Sequence, residues 1–473
     1  MPPSPHDSLT TTIPTPGDHS WFVHDRFGLF VHWGLYSMPA RHEWVQSYER
    51  IAPEAYSTRY FDRFDPDLYR PELWAAAAGD AGMKYAVITA KHHEGFCLWD
   101  SGQTDFKATQ APCGRDLLRP FLDAIRERGI RAGLYYSLID WHHPDYVVDF
   151  HNHPQRESVP PTPGAVYHRG TPVTGRDYDG RDINDGRDQS KYAAYMREQV
   201  RELLTDYGDI DVLWFDFTFQ VHPDQPRDDF RFNKGREAWD AKRLYEMIRE
   251  LRPEIMLTDR LDLDLPLSGG DFKTPEQAQP REWVHVEADG QQRPVVWEAC
   301  QTFSGSWGYH RDENEWRSSR QLISTLIDCV SKGGNLLLNV GPTGRGEIDE
   351  RALSRLGDIG RWMKRHDRSI YGCTQAPPEF RPPEHTRLTY HPQRRRLYVH
   401  LFDWPYHLLH LDGPGYVELV EYAQLLHDAS EVGFGLDAWH KKQLGEAAET
   451  LTLNLPTREP AGVEVPVVEL FLK

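Results

Sequence analysis

The segment from Gln321 to Val340, with the sequence QLISTLIDCVSKGGNLLLNV, contains the repeating unit that decides the fold. Its first half has the i, i+3, i+4, i+7 spacing of one apolar helix face, at Ile323, Leu326, Ile327 and Val330. Gly333 and Gly334 end that helix, because glycine is favoured just past a helix C-terminus. The apolar run 335–340 then predicts a strand that is buried on both faces.

The same alternation of short apolar runs and amphipathic segments extends from about residue 27 to residue 371. The predicted strands are rich in aliphatic and aromatic side chains and cover residues 27–33, 85–90, 132–137, 212–215, 255–258, 295–299 and 335–340. A second helix ends at Gly129, and its apolar face consists of Leu118, Phe121, Leu122 and Ile125. Strands that alternate with helices predict parallel strands joined by crossover helices.

Two α/β architectures bury parallel strands on both faces, a closed barrel and a doubly wound sheet. A doubly wound sheet normally has a G-x-G-x-x-G turn after its first strand, whereas here that strand leads into His32-Trp33-Gly34. Seven visible strands, with an eighth easily missed, favour a (β/α)8-like, TIM-type barrel. We predict this barrel over residues 21–374, after a flexible segment 1–20, with a long loop at 142–187 over one barrel face.

After Gly372 the apolar period changes to two. The alternating residues are Leu397, Val399, Leu401, Leu451, Leu453, Leu455, Val468, Leu470 and Leu472. Such alternation is typical of half-buried antiparallel strands. Residues 375–383 form a Pro-rich joint, so we predict a C-terminal antiparallel β-sandwich over residues 378–473.

The composition excludes several kinds of partner. The 473 residues carry a net charge of −18 and have no apolar run long enough to cross a bilayer. An acidic surface repels phosphate backbones and anionic lipids, so we expect neither a nucleic acid nor a membrane partner. The five cysteines form no C-x-x-C pair and are expected to be reduced. With no secretory signal at residues 1–20, a cytoplasmic location is expected, and secretion after signal removal stays open. The sequence carries no signal for the oligomeric state.

In a barrel, polar residues at the C-terminal ends of strands point into the mouth. Such residues follow five predicted strands: His32, Lys91, His92, His93, Glu94, Tyr135, Tyr136, Asp216, Asp259 and Arg260. Asp216 is the most informative, because a carboxylate directly after Val-Leu-Trp-Phe is costly unless it is paired or used. A cap or an arginine partner would explain it equally well.

A second carboxylate in the same mouth would favour catalysis. The candidates are Glu276, Glu43, Glu298 and Asp271. Thr274-Pro275 could instead begin a helix with Glu276 in its first turn. The spacing of these residues in the sequence does not decide which of them faces Asp216.

The histidines raise the possibility of a metal site, at His92-His93, His142-His143 and His151-Asn152-His153. Adjacent histidines at a strand end are expected to point in opposite directions, and the H-x-H motif lies in the predicted loop. We therefore expect no metal and no cofactor. Neutral imidazoles and Arg260 suit hydrogen bonds with sugar hydroxyls, and tryptophan faces such as that of Trp141 can stack on a pyranose.

Five ordered motifs together resemble the α-L-fucosidases of glycoside hydrolase family 29. They are FGLFVHWG at 27–34, TAKHHEGFCLW at 89–99, GLYYS at 133–137, DVLWFD at 211–216 and SKGGNLLLNVGP at 331–342. The resemblance implies a barrel with a C-terminal β-sandwich and a retaining mechanism, with Asp216 as nucleophile. The Asp-Phe-Lys-Thr-x-Glu stretch implies Glu276 as general acid/base. The implied fucose-binding residues are His32, Glu43, Trp44, His92, His93, Tyr135, Arg260 and Trp307.

The resemblance thus predicts a retaining exo-α-L-fucosidase that acts on fucosylated oligosaccharides or glycoconjugates. In such enzymes two carboxyl groups stand about 5 to 5.5 Å apart, one ionised to attack and one protonated to donate. The segment LIDWHHPDY at 138–146 resembles the subfamily that prefers branched α-1,3/1,4-linked fucose. The alternatives are a non-catalytic carbohydrate-binding protein on the same fold and a barrel metallohydrolase.

Overall fold

The structure is a computed structural model that describes residues 12–156, 182–220, 226–281, 284–286, 290, 292–435 and 450–473. Its first eleven strands are β1 (Phe27–Val31), β2 (Tyr85–Lys91), β3 (Arg131–Ser137), β4 (Val212–Asp216), β5 (Phe219–Gln220), β6 (Asn233–Lys234), β7 (Met256–Leu257), β8 (Val284–Val286), β9 (Gln292–Pro294), β10 (Glu298–Thr302) and β11 (Asn335–Val340). The helices are α1 (His19–Asp25), α2 (Val45–Tyr48), α3 (Pro53–Arg59), α4 (Pro71–Asp80), α5 (Leu118–Glu127), α6 (Gln189–Asp206), α7 (Arg236–Trp239), α8 (Ala241–Leu251), α9 (Ser319–Ser331), α10 (Glu350–His366) and α11 (Pro414–Leu419).

Seven parallel strands form the curled central sheet, in the order β10-β11-β1-β2-β3-β4-β7. Every residue of β1, β2, β10 and β11 is buried, because helices cover the outer face and side chains fill the interior. The predicted parallel α/β barrel is confirmed. The strand predicted at 295–299 begins later, at Glu298, where pairing with β11 starts.

Residues 271–277, which we call the closing segment, lie between the edge strands β7 and β10. Single parallel bridges join Phe272 to Thr258 on one side and Lys273 and Glu276 to Trp297 and Cys300 on the other. The closing segment is therefore the eighth member of the ring. The alternative helix start at Thr274-Pro275 is wrong, because this stretch is extended and pairs with β10.

The helix that leads into β11 is confirmed. Ser318 and Gln321 form a capping box at the start of α9, since each side chain bonds the backbone of the other residue. The helix ends at Ser331, and Gly333 follows with a φ of 79°, in the left-handed region that glycine adopts readily. The helix predicted before Gly129 is likewise present as α5.

The described part of the N-terminal segment packs against the barrel. The Ile13 side chain is buried, and its N–H donates to the Pro294 carbonyl at 3.4 Å. The Gly17 N–H donates to Asp271 Oδ1 at 2.9 Å. Residues 12–20 therefore include contacts with the barrel, the flexibility of the segment 1–20 stays a prediction, and residues 1–11 lie outside the described residues. Of the predicted loop at 142–187, residues 157–181 also lie outside.

The C-terminal strands are β12 (Thr374–Gln375), β13 (Thr386–His391), β14 (Arg396–Leu401), β15 (Leu408–Asp412), β16 (Val420–Leu425), β17 (Gly433–Gly435), β18 (Thr450–Asn454) and β19 (Val467–Leu472). They form two antiparallel sheets, in the orders β12-β13-β14-β19-β16 and β15-β18-β17. The predicted alternating leucines and valines of β14, β18 and β19 share one apolar core between these sheets. The β-sandwich is confirmed, and its boundary at residue 378 stays a prediction.

The second face of the five-stranded sheet is buried against the barrel. Tyr398 of β14 and Val467 of β19 belong to the apolar core of the barrel, and Trp362 Nε1 of α10 donates to the Val465 carbonyl at 3.2 Å. These strands are therefore buried on both faces rather than half-buried. Among the described residues, no helix is long and apolar enough to cross a bilayer.

Candidate active site

Asp216 lies at the C-terminal end of β4, where the strand meets the barrel mouth. Its Oδ2 accepts a hydrogen bond from the Tyr135 hydroxyl at 2.8 Å, and its Oδ1 accepts one from the Phe217 N–H at 2.8 Å. Arg260 Nη1 stands 3.6 Å from Oδ1, and His93 Nε2 stands 4.0 Å from Oδ2. The carboxylate is thus fixed from several sides.

Burial raises the pKa of Asp216 to about 6, and the Arg260 guanidinium opposes that rise. The negative charge of Glu276 acts in the same direction as burial. A carboxyl group with this pKa is mainly ionised at neutral pH and becomes protonated under mildly acidic conditions. Such shifts are characteristic of functional carboxylates.

Phe217, directly after Asp216, adopts a left-handed backbone conformation with a φ of 72°. This conformation is uncommon for a residue with a large side chain and is found at functional sites. It directs the Phe217 N–H onto the Asp216 carboxylate. The sequence gives no signal for it, since a left-handed aromatic residue is not expected from propensity.

Glu276 lies on the closing segment, at the same mouth. Arg260 Nη2 donates to Glu276 Oε1 at 2.7 Å, so two nitrogens of one guanidinium contact the two predicted catalytic carboxylates. Arg260 is itself held by Thr274, which accepts Nε at its Oγ1 at 3.1 Å and Nη2 at its carbonyl at 3.2 Å. The side chain of Glu276 is 44 % exposed, so one face of it is open to a ligand.

Two of the other candidate carboxylates lie away from Asp216. Glu298 begins β10, and its oxygens accept from the Tyr85 hydroxyl at 2.5 Å and from Trp214 Nε1 at 3.2 Å. Asp271 is fully buried and accepts from Gly17 and from Arg249 Nη2 at 2.7 Å. Both carboxylates are thus engaged in hydrogen bonds with other buried or partly buried groups of the barrel.

Glu43 is buried beside the mouth and holds a loop. Its Oε2 accepts from the backbone N–H groups of Trp307 and Gly308 at 3.1 and 2.8 Å. Because that carboxylate oxygen is committed to the loop that carries Trp307, Glu43 positions this aromatic residue. Of the four candidates, Glu276 is the one that shares a guanidinium with Asp216.

The proton positions on His32 follow from its neighbours. His32 Nδ1 lies 2.6 Å from Asn339 Oδ1, and Asn339 Nδ2 donates to the Trp307 carbonyl at 2.7 Å. Because the amide nitrogen is the donor to Trp307, the amide oxygen accepts from His32. Nδ1 therefore carries the proton and Nε2 is an acceptor. Burial lowers the pKa of His32 to about 3, so its ring is neutral.

His92 and His93 lie side by side, with ring centroids 3.9 Å apart, because β2 ends before them at Lys91. The expectation that they point in opposite directions is wrong. His93 Nδ1 lies 2.7 Å from Ser137 Oγ, whose hydroxyl donates to the Ile139 carbonyl, so His93 donates from Nδ1 and presents Nε2 as an acceptor. Burial lowers the pKa of both histidines well below the usual value.

Aromatic rings form the apolar part of the mouth. Phe30 lies beside Trp214 and Trp307, with centroid distances of 5.3 and 6.1 Å, and Tyr135 stacks on Trp214 at 5.7 Å. The Trp44 ring contacts that of His93, with a centroid distance of 5.0 Å. The structure thus brings together all ten residues that the sequence nominates, with Glu43 acting through its loop.

The two ionisable residues that flank the histidines in the sequence, Lys91 and Glu94, are buried and hydrogen-bonded. Lys91 Nζ donates to Asp140 Oδ2 at 3.0 Å, and both side chains are fully buried. On the other side, Glu94 accepts from the Leu35 N–H and the Tyr56 hydroxyl at 3.0 and 2.5 Å. The sequence nominates Lys91 and Glu94 for the mouth, whereas their side chains bond to Asp140 and Tyr56, and these two partners were not predicted. Charges in a buried motif were the available signal.

The remaining histidines do not converge. His142 stacks on Phe106 with centroids 3.8 Å apart, and His153 Nε2 lies 3.2 Å from the Trp141 carbonyl. Over the described ranges, no group of three or more His, Cys, Asp or Glu side chains could hold a metal ion.

A barrel of this type with two carboxylates at its mouth has the groups that glycoside hydrolysis requires. The sequence model of the family described as alpha-L-fucosidase matches residues 10–368. The chain therefore belongs to the α-L-fucosidases of glycoside hydrolase family 29.

The chain is similar to known α-L-fucosidases over most of its own length and of theirs. Alpha-L-fucosidase isoenzyme 1 from Paenibacillus thiaminolyticus is 41 % identical, with a TM-score of 0.81 over 96 % of this chain and 98 % of its own. Tissue alpha-L-fucosidase of Bos taurus is 30 % identical over 84 % of this chain and 77 % of its own length. Plasma alpha-L-fucosidase of Homo sapiens is 30 % identical, over 74 % and 69 %.

Proposed function

We propose that this protein is a retaining exo-α-L-fucosidase that cleaves terminal α-L-fucosyl linkages of glycans without a cofactor. The observation that carries the proposal is the contact of one guanidinium, that of Arg260, with both Asp216 and Glu276. Family membership and the names of the relatives support fucose as the sugar.

In the first step the ionised Asp216 carboxylate attacks the anomeric carbon, and the bond from that carbon to the leaving oxygen breaks. Glu276 gives its proton to the departing oxygen. The ester that forms on Asp216 carries no charge, so Arg260 then pairs with the Glu276 carboxylate alone. Glu276 next accepts a proton from water, which attacks the anomeric carbon and releases Asp216.

The mouth suits a 6-deoxy sugar. The neutral imidazoles of His32 and His93 present Nε2 acceptors to ring hydroxyls, and Arg260 supplies donors. The rings of Phe30 and Trp307 offer an apolar wall for the C5 methyl group. A sugar with a hydroxymethyl group would place a hydroxyl against that wall, where it would lack a hydrogen-bond partner.

We also propose a preference for branched α-1,3/1,4-linked fucose. The segment 138–146 that suggests it lies beside the mouth: the Trp141 N–H donates to the His93 carbonyl at 2.8 Å. The Trp141 ring contacts Trp44 at a centroid distance of 5.4 Å. The segment that carries this resemblance therefore contacts two residues of the site, His93 and Trp44.

The test is hydrolysis of an aryl fucoside, a Lewis-type trisaccharide and 2′-fucosyllactose, with the first-formed anomer followed by NMR. The account expects α-L-fucose as first product and the trisaccharide as the best natural substrate. Asp216→Asn should be folded but inactive, because an amide cannot form the ester intermediate. Asp264→Asn, at an exposed site, is the matched control. Release of β-L-fucose would overturn retention, and substantial activity in Asp216→Asn would overturn the nucleophile assignment.

A further inference from the structure

Tyr48 is an exposed aromatic residue beside the mouth. Its side chain is 64 % exposed, an unusual position for a large ring on a folded domain. It ends the short helix α2, four residues after Trp44, so the two side chains lie one above the other on the same helix face. Their rings are stacked, with centroids 5.8 Å apart and planes inclined by 23°.

Trp44 connects Tyr48 to the catalytic carboxylate. The Trp44 ring lies 5.0 Å from that of His93 and 5.3 Å from that of Phe217, and both of these residues contact Asp216. Tyr48 therefore lies one ring further out than Trp44 along a continuous aromatic surface. One ring, that of Trp44, therefore separates the exposed Tyr48 ring from residues that contact Asp216.

The position of Tyr48 is fixed although its ring is exposed. Ser47 Oγ donates to the Asn152 carbonyl at 2.7 Å, and Arg41 donates to both oxygens of Glu49 at 2.6 and 2.8 Å. These bonds fix Ser47 and Glu49, the residues on either side of Tyr48. A fixed aromatic ring loses little conformational entropy when a ligand stacks on it.

We propose that Tyr48 is a stacking platform for the sugar ring that carries the fucose, and so determines specificity for the leaving group. This inference rests on the proposed fucosidase activity. The C–H face of a pyranose packs on a tyrosine ring. The Tyr48 ring contacts Trp44 and His42 and is still 64 % exposed, so it has surface left for such a contact. Tyr48 contacts the leaving sugar and takes no part in proton transfer.

The test compares Tyr48→Ala with wild type on two substrates, α-L-fucosyl fluoride, whose leaving group has no ring, and whichever of the Lewis-type trisaccharide and 2′-fucosyllactose wild type cleaves faster. We expect kcat/KM for the oligosaccharide to fall about fivefold to tenfold, mainly through KM, and that for the fluoride to stay unchanged. Tyr48→Trp should keep the wild-type values. Tyr406→Ala, at an 88 % exposed tyrosine of the C-terminal domain, is the matched control.

Equal losses of Tyr48→Ala on both substrates would overturn the inference, because they would indicate a structural role, as would a lowered melting temperature. Unchanged values on both substrates would also overturn it, as would a wild-type enzyme that cleaves the fluoride and neither oligosaccharide. A wild-type protein inactive on the fluoride would instead overturn the proposed function itself.

Discussion

As the proposed nucleophile, Asp216 must be ionised, yet it lies where burial favours its protonated form. Its raised pKa, about 6, is the balance between burial and the charge of Arg260. Activity therefore requires a pH above this value, and kcat/KM should fall as the pH falls through about 6. The groups that hold the carboxylate set this acidic limb.

Tyr135→Phe should move the acidic limb of kcat/KM to higher pH. The Tyr135 hydroxyl donates to Asp216 Oδ2 and stabilises the ionised form, so its removal raises the pKa of Asp216 further, by about one unit. The measurement is kcat/KM for an aryl fucoside from pH 4 to 9. Tyr136→Phe is the control, because that adjacent hydroxyl faces the other way and donates to Gln199. An unmoved limb in Tyr135→Phe would show that another group sets it.

The sequence predicted individual mouth residues better than their supports. Asp216, Arg260 and His32 could be found because polar residues at the ends of apolar strands are visible in one dimension. Asn339, which sets the tautomer of His32, lies on β11, more than 300 residues later in the sequence. It reaches His32 because β11 pairs with β1. Predicting such a contact requires knowing how two strands far apart in the sequence are paired.

At the scale of elements, the closing segment links the fold to the chemistry. It completes the ring between β7 and β10 and carries both Thr274, which fixes Arg260, and Glu276. It was missed as a strand because it contains charged residues and Pro275, and because single bridges rather than a long ladder hold it. Its sequence alone permitted a helix start equally well.

Asp271→Ala should destabilise the barrel by about 3 to 5 kcal/mol, the usual range when one partner of a buried ion pair is removed. The Asp271 carboxylate accepts from Arg249, from the Gly17 N–H and from the Leu257 N–H, so its loss leaves the guanidinium without its carboxylate partner and two N–H groups without their acceptor. Urea unfolding gives the free energy of unfolding. Asp264→Ala removes a partner of Arg236 at the surface and should leave that free energy nearly unchanged. Equal effects of the two variants would contradict the role of Asp271 as an anchor.

At the scale of the molecule, hydrophobic periodicity predicted both layers, because buried parallel strands and alternating antiparallel strands leave different patterns. It did not predict that the sandwich packs on α10 through the second face of β14 and β19. That face carries Tyr398 and His400, polar-capable residues that periodicity assigns to solvent although both are buried. Which surfaces of two domains pack together depends on their three-dimensional shapes, and these cannot be read from a single sequence.

The cytoplasmic location and the oligomeric state stay open to experiment. All five cysteines are free thiols, four of them buried.

Covalent labelling tests most directly whether Asp216 is the nucleophile. Glu276→Ala incubated with 2-deoxy-2-fluoro-α-L-fucosyl fluoride should accumulate the ester intermediate, because the fluorine slows both steps, the fluoride needs no acid to depart, and the variant lacks the base that activates water. Mass spectrometry of the whole protein, followed by peptide mapping, should find one fluorofucosyl group on Asp216. A label on another carboxylate, or none in a variant that still binds fucose, would contradict the account.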